Sequence, residues 1–143
     1  MSMQYAKQYA KIGTSSETES ADPHRLIQML IDGALAKLIV AKAMMERRDV
    51  AKKGENVSWA ISIIGGLQAS LDMQKGGEIA QTLNALYDYM TVRLAQANAS
   101  NDVSGVDEVI HLMKTIKEGW DGIRPQATEM FNGKETSTNR ASA

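Results

Sequence analysis

Between Pro23 and Trp120 the apolar residues recur every three or four positions, and no segment alternates with the two-residue period of a strand. The first run opens at Asp22-Pro23, a strong helix start. Asp as N-cap accepts an orphan backbone N–H, and Pro at the first helical position lacks a donor that would be unpaired there anyway. The run is predicted to reach about Arg47. Its apolar residues fall into two interleaved stripes, Ile27, Leu30, Ile31, Ala34, Leu38, Ala41 and Met45 on one, and Leu26, Met29, Gly33, Ala36, Val40 and Met44 on the other. Only Gln28, Asp32, Lys42 and Glu46 are left as a narrow polar strip. A surface helix ordinarily carries one apolar stripe somewhat over about 100° wide, so this helix is either central in the fold or half-covered by another chain.

Asp49 is placed to cap a second helix, in which Val57, Ala60, Ile61, Ile64, Leu67 and Leu71 form the core stripe with Trp59 and Ile63 beside it. Gly65-Gly66 within that helix costs roughly 1 kcal/mol per residue relative to Ala, which points to close helix approach or space for an inserted side chain. Lys75-Gly76-Gly77 makes a tight turn, and Glu78 starts the third helix near its positive dipole end. There Ile79, Leu83, Leu86, Met90, Leu94 and Ala97 are expected to face the core. Tyr87 borders that stripe as a core-edge residue. Tyr89 lies two residues later, about 200° round the helix, on a thinner stripe with Ala85 and Val92. The turn from Ala99 to Ser104 offers Asp102 or Ser104 as N-cap for a fourth helix carrying Val106, Val109, Ile110, Met113, Ile116 and Trp120, with Pro125 beyond its end. Four long helices joined by short turns predict an all-α, antiparallel up-down-up-down four-helix bundle.

That bundle is expected to span residues 22–124. Ahead of it, residues 1–21 divide into a short helical arm, with Tyr5, Tyr9 and Ile12 at helical spacing, and a Ser/Thr/Glu linker that has almost nothing to bury. The arm is too short to be a stable helix alone and needs something to dock on. Residues 125–143 form a polar tail with Phe131 its one aromatic, expected to be disordered.

Composition narrows the function more than it shapes the fold. At 143 residues and 43% hydrophobic, the chain can bury a core without metals or disulfides. The formal net charge of −1 lacks the basic patch of a nucleic-acid binder. No cysteine is present, which excludes a disulfide framework and a thiolate metal site and fits the cytosol. The polar first twenty residues hold no signal-peptide core, and no apolar run approaches the roughly 20 residues needed to span a bilayer, so neither membrane insertion nor signal-peptide export is expected. Catalytic material is poor. His24 and His111 sit in different helices and read as solvent-exposed or helix-end residues, while Glu108 to His111 is a single Glu-x-x-His match where a bundle metal site needs two. A carboxylate-metal enzyme around Glu108, His111 and Asp72 is the weakest reading, and no catalytic residue, metal or cofactor is expected.

The nine methionines and the broad apolar faces instead suit a surface that accommodates a partner helix. A homo-oligomeric bundle burying the same stripes against its own copy is the alternative. The order Tyr5…Tyr9, D-P-H-R-L-I-Q-M-L-I-D-G-A-L from Asp22, I-I-G-G-L-Q-A-S-L-D from Ile63, G-G-E-I-A from Gly76, L-Y-D-Y-M from Leu86 and L-A-Q-A-N from Leu94 resembles the FliS-type flagellar secretion chaperones. The resemblance runs from about Tyr5 to Trp120. It departs at Ile31, where the family often has an aromatic before Asp-Gly. What it implies is a non-enzymatic cytosolic chaperone that binds the disordered C-terminal segment of flagellin, prevents early polymerisation and delivers it to the flagellar type III export apparatus. It leaves open whether the export gate or an anti-sigma factor shares the surface. It also makes Tyr5, Tyr9 and Ile12 a movable cover for the binding groove. The partner-facing set expected on the bundle is Leu26, Met29 and Gly33 on the first helix, Trp59 and Ile63 on the second, and Tyr87, Tyr89 and Val92 on the third.

Overall fold

Most helix starts and stops are written in local hydrogen bonds. The computed structural model describes residues 22–122, so the expected arm, linker and polar tail lie outside the described residues. Asp22 Oδ1 accepts from the Arg25 N–H at 2.8 Å and opens α1, Pro23–Arg47, with Pro in its first turn. Arg48 closes it in the left-handed region (φ 59°), returning its N–H to the Met44 and Met45 carbonyls. Asp49 then caps α2, Val50–Ala69, by accepting from Lys52 N–H at 3.1 Å. α3, Gly77–Ser100, ends on Asn101 at φ 53°, and Asp102 takes the Ser104 N–H at 3.0 Å and its hydroxyl at 2.6 Å at the start of α4, Val103–Gly122.

Each helix packs on two neighbours, α1 on α2 and α4, and α3 on α2 and α4. The bonds across the seams give the sense of the pairs. Lys42 pairs with Asp107 and Lys117 with Asp32, both at 2.9 Å, so α1 and α4 run antiparallel. Gln68 Nε2 reaches Asn84 Oδ1 and Asp88 Oδ1 near one end of the α2–α3 seam, and Lys53 Nζ reaches the Asn98 carbonyl near the other. That last contact places a lysine at a helix C-terminus, where the dipole favours it. Arg93 on α3 meets Glu108 on α4 while Ala97 lies against Gly105, so these two helices also run antiparallel.

The first α1 stripe is buried throughout, from Ile27 to Met45, and meets Val57, Ala60, Ile64 and Leu67 of α2. Fully burying a side chain of this size contributes about 1.5–3 kcal/mol, so this shared core is the main source of stability. The second α1 stripe is covered only in part. Met29 and Gly33 are buried, Leu26 and Met44 half-buried, and Ala36 and Val40 exposed.

In α3 the expected rotation needs correction. Ile79 is 56% exposed, and Ala80 occupies the core position with Tyr87, Met90, Leu94 and Ala97, while Leu83 and Leu86 are half-buried. The cause is the preceding turn. Asp72 Oδ1 accepts from the Gln74 and Lys75 N–H groups, and its carbonyl accepts from the Gly76 N–H at 2.8 Å. A Cβ at Gly76 would stand 2.5 Å from Ala80 Cβ and 2.8 Å from the Asp72 carbonyl oxygen, and Gly77 has φ +54°. Gly76 thus lies in close contact with Ala80, which takes the inward position while Ile79 turns outward. Tyr87, seven residues beyond Ala80 on the same line, is not an edge residue but 1% exposed.

Candidate functional site

With the core occupied, Ile39, Val40, Val50, Trp59, Met73, Ile79, Tyr89 and Val92 remain exposed, and the two aromatic rings among them stand in separate places. The first lies along the α1–α2 seam. Trp59 remains 36% exposed, with Lys37 Nζ 4.1 Å above its ring centroid. That cation–π contact brings together two helices and is worth about 0.5–1 kcal/mol at an exposed site. Leu26, Met29, Gly33, Lys37 and Val40 step along one flank of α1, so Lys37 over Trp59 places this whole flank on the α2 side. Glu55, Ser58 and Ser62 join Trp59 in lining an open, mainly apolar recess of about 240 Å³. Lys37 and this polar rim were not singled out in the sequence, since an interhelical neighbour leaves no trace in local spacing.

The second place is the outer face of α3, where Tyr89 is 46% and Val92 57% exposed. Tyr89 Oη donates to Glu108 Oε2 at 2.6 Å, which sets its ring on the α4 side of α3. Trp59 and Tyr89 therefore belong to different seams. Half-buried Leu83 and Leu86 of α3, with Leu112 and Ile116 of α4, add apolar surface at this second seam. Met29, Gly33, Ile63 and Tyr87, expected to face a partner, are instead buried in this fold, and Leu26 is half-buried. Burial also pushes the Tyr87 phenol far above its ordinary value. Tyr5, Tyr9 and Ile12 lie outside the described residues.

The titratable groups weighed for metal chemistry are held in other roles. Glu108 accepts from both Tyr89 and Arg93, and these bonds hold its carboxyl below the usual glutamate range. Asp72 is committed to the α2–α3 turn, about 20 Å along α3 from the level of Glu108 at 1.5 Å per residue. His111 is exposed. Among the described residues no three His, Asp or Glu side chains converge to hold an ion. His24 is at a helix end as expected, but it is buried rather than solvated. Its ring stacks on Trp120 with centroids 5.0 Å apart and planes 6° from parallel. The His24 Nε2–H donates to the Trp120 carbonyl at 2.8 Å, and Trp120 Nε1–H donates to the His24 carbonyl at 3.1 Å. This reciprocal clasp joins the start of α1 to the end of α4.

The bundle thus ties Lys42, Arg93 and Lys117 across its seams and leaves the rings of Trp59 and Tyr89 exposed, as helical binding modules do. The chain belongs to the FliS family, whose model, described as flagellar protein FliS, matches residues 5–127. It is 50% identical over 123 residues to the flagellar secretion chaperone FliS of Salmonella typhimurium, covering 85% of this chain and 91% of that protein. Over 121 residues it is 47% identical to flagellar secretion chaperone FliSB of Pseudomonas aeruginosa, covering 85% and 96% respectively. With the FliS of Vibrio cholerae it shares 41% identity over 118 residues, 82% of this chain and 87% of that one. By family the chain is a flagellar export chaperone, and the family is one of chaperones rather than of enzymes. Among the described residues no helix is long and apolar enough to cross a membrane.

Proposed function

We propose that this protein is a cytosolic, non-enzymatic chaperone for flagellin. It binds the C-terminal segment of flagellin, keeps it from polymerising early and hands it to the flagellar export apparatus. The observation that carries this reading is the set of apolar side chains that the folded bundle leaves uncovered, Trp59 under Lys37 on one seam and Tyr89 with Val92 on another. An amphipathic segment that orders on binding would lay its apolar face on such rings and keep its polar face in water. Two separate seams suit a long segment that runs around the bundle better than one short helix. Residues 1–21 would act as a movable cover carrying Tyr5, Tyr9 and Ile12, and residues 125–143 as a tail outside the binding surface.

Calorimetric titration of the purified chain with the C-terminal segment of its host's flagellin tests the reading. Saturable one-to-one binding, with a gain of helix in the segment by circular dichroism, is the expected result. Silence at tens of micromolar from a folded chain would overturn it, and light scattering that rises with concentration would then assign the uncovered rings to self-association.

A further inference from the structure

The exposed ring of Tyr89 is not free to choose its pose. Its hydroxyl donates to Glu108 Oε2 at 2.6 Å, while Arg93 Nε donates to Glu108 Oε1 at 2.8 Å and Arg93 Nη2 reaches Asp102 Oδ2 at 3.3 Å. Tyr89 and Arg93 are one turn apart on α3, so one helix grips both oxygens of a carboxylate that belongs to the next. Gly105 makes room for the grip. A Cβ there would stand 2.9 Å from Arg93 Nη1 and 2.7 Å from Ala97 Cβ, so only glycine lets α4 lie this close with the guanidinium in place. Charge-assisted bonds of this kind are the shorter and stronger ones.

Despite the tether the ring stays 46% exposed, with Val92 at 57% one turn on. The Lys42–Asp107 pair on the α1–α4 seam is a similar exposed ion pair, but its bond holds no apolar group in place. A side chain held in its bound pose before contact avoids the ordering cost of an immobilised rotamer, a gain of about two- to ten-fold in affinity. Tyrosine is also among the side chains that anchor interfaces. We propose that Arg93 is a positioning residue of the partner surface: through Glu108 it holds Tyr89 in the pose that meets the C-terminal segment of flagellin. This rests on the flagellin-binding reading above.

The test is a double-mutant cycle on the full-length chain, read as affinity for that flagellin segment, with thermal midpoints recorded in parallel. Tyr89→Phe keeps the ring and removes the tether; Arg93→Ala removes the grip on Glu108. Each is expected to weaken binding about two- to ten-fold, in line with the ordering of one side chain, and the double variant no more than the weaker-binding single one. Asp107→Ala, which breaks the control pair, should leave affinity unchanged. If Arg93→Ala does not fold, Glu108→Ala takes its place in the cycle, and Glu108→Gln, which keeps an oxygen for the Tyr89 hydroxyl, should recover part of the affinity. Losses that add, or an equal loss in Asp107→Ala, would overturn this inference alone. An unmodified chain that does not bind the segment overturns the flagellin reading and this inference with it.

Discussion

The two tryptophans of the bundle stand in opposite surroundings. Trp120 is buried at the α1–α4 seam, stacked on His24 and joined to it by two hydrogen bonds between residues 96 apart in sequence. Trp59 lies on the outside of the α1–α2 seam, touched by Lys37 and bordered by a shallow recess. One seam is tied across by polar side chains: besides the clasp, Lys117 pairs with Asp32 and Gln28 with Asp121. The other leaves an indole with one face unmatched. The two indoles thus differ in what surrounds them, and fold stability and partner affinity should respond separately to the loss of each.

The largest effect is expected at the buried ring. Trp120→Ala removes its packing and both bonds of the clasp, and should destabilise the fold by about 3–5 kcal/mol, the range for a large aromatic lost from a core. Chemical denaturation of the variant and parent checks this; a change under about 1 kcal/mol would show that the clasp is not part of the stabilising core.

Trp59→Ala is expected to behave in the reverse way. Its midpoint of unfolding should move by about 1 kcal/mol or less, the scale of one exposed cation–π contact. Its affinity for the flagellin C-terminal segment should fall by about 2 kcal/mol or more, close to thirty-fold, as for a central aromatic anchor. Calorimetry and denaturation on one preparation decide the matter. Equal losses in both would mean that Trp59 belongs with Trp120 and that the comparison between the seams does not hold.

The contrast also marks what could be seen in the sequence. Helix limits were legible because caps are local: Asp22-Pro23, Asp49 and Asp102 each act within a few residues, and the structure places helix starts beside all of them. The four-helix pattern followed from period and turn length. Rotation of α3 was not legible, because a contact between Gly76 and Ala80 decides it and a larger Ile79 looks like the better core residue. The His24–Trp120 clasp was invisible for a different reason, since no spacing rule links positions at the two ends of the bundle. Of the expected partner-facing residues on the bundle, Trp59, Tyr89 and Val92 are exposed while Met29, Gly33, Ile63 and Tyr87 are buried, a division that again depends on helix rotation.

The smallest expected effect belongs to the seam that lies between these extremes, where Tyr89 is exposed yet tethered. Its bond to Glu108, then that of Arg93 to the same carboxylate, holds the Glu108 carboxyl below the usual value of 4.5, and the bond to Glu108 raises the Tyr89 phenol above its usual 10.0. The signs follow from linkage. A carboxyl with a depressed folded value adds stability that is fully present above the ordinary value and is lost as pH falls through the depressed one. A phenol with a raised value adds stability that is present below the ordinary value and is lost as pH rises through the raised one. The tether therefore operates across neutral pH and opens at both extremes. Glu108→Gln should lower the thermal midpoint by a small constant amount between about pH 6 and 9, well inside both ordinary values. The difference should shrink as the pH falls below the ordinary glutamate value, because the parent then loses its carboxylate as well. In the same variant, absorbance titration of the phenols should show one tyrosine ionising at lower pH than in the parent. A midpoint difference that persists unchanged into strong acid would mean that Glu108 acts by packing, and that the ring of Tyr89 is held by something other than charge.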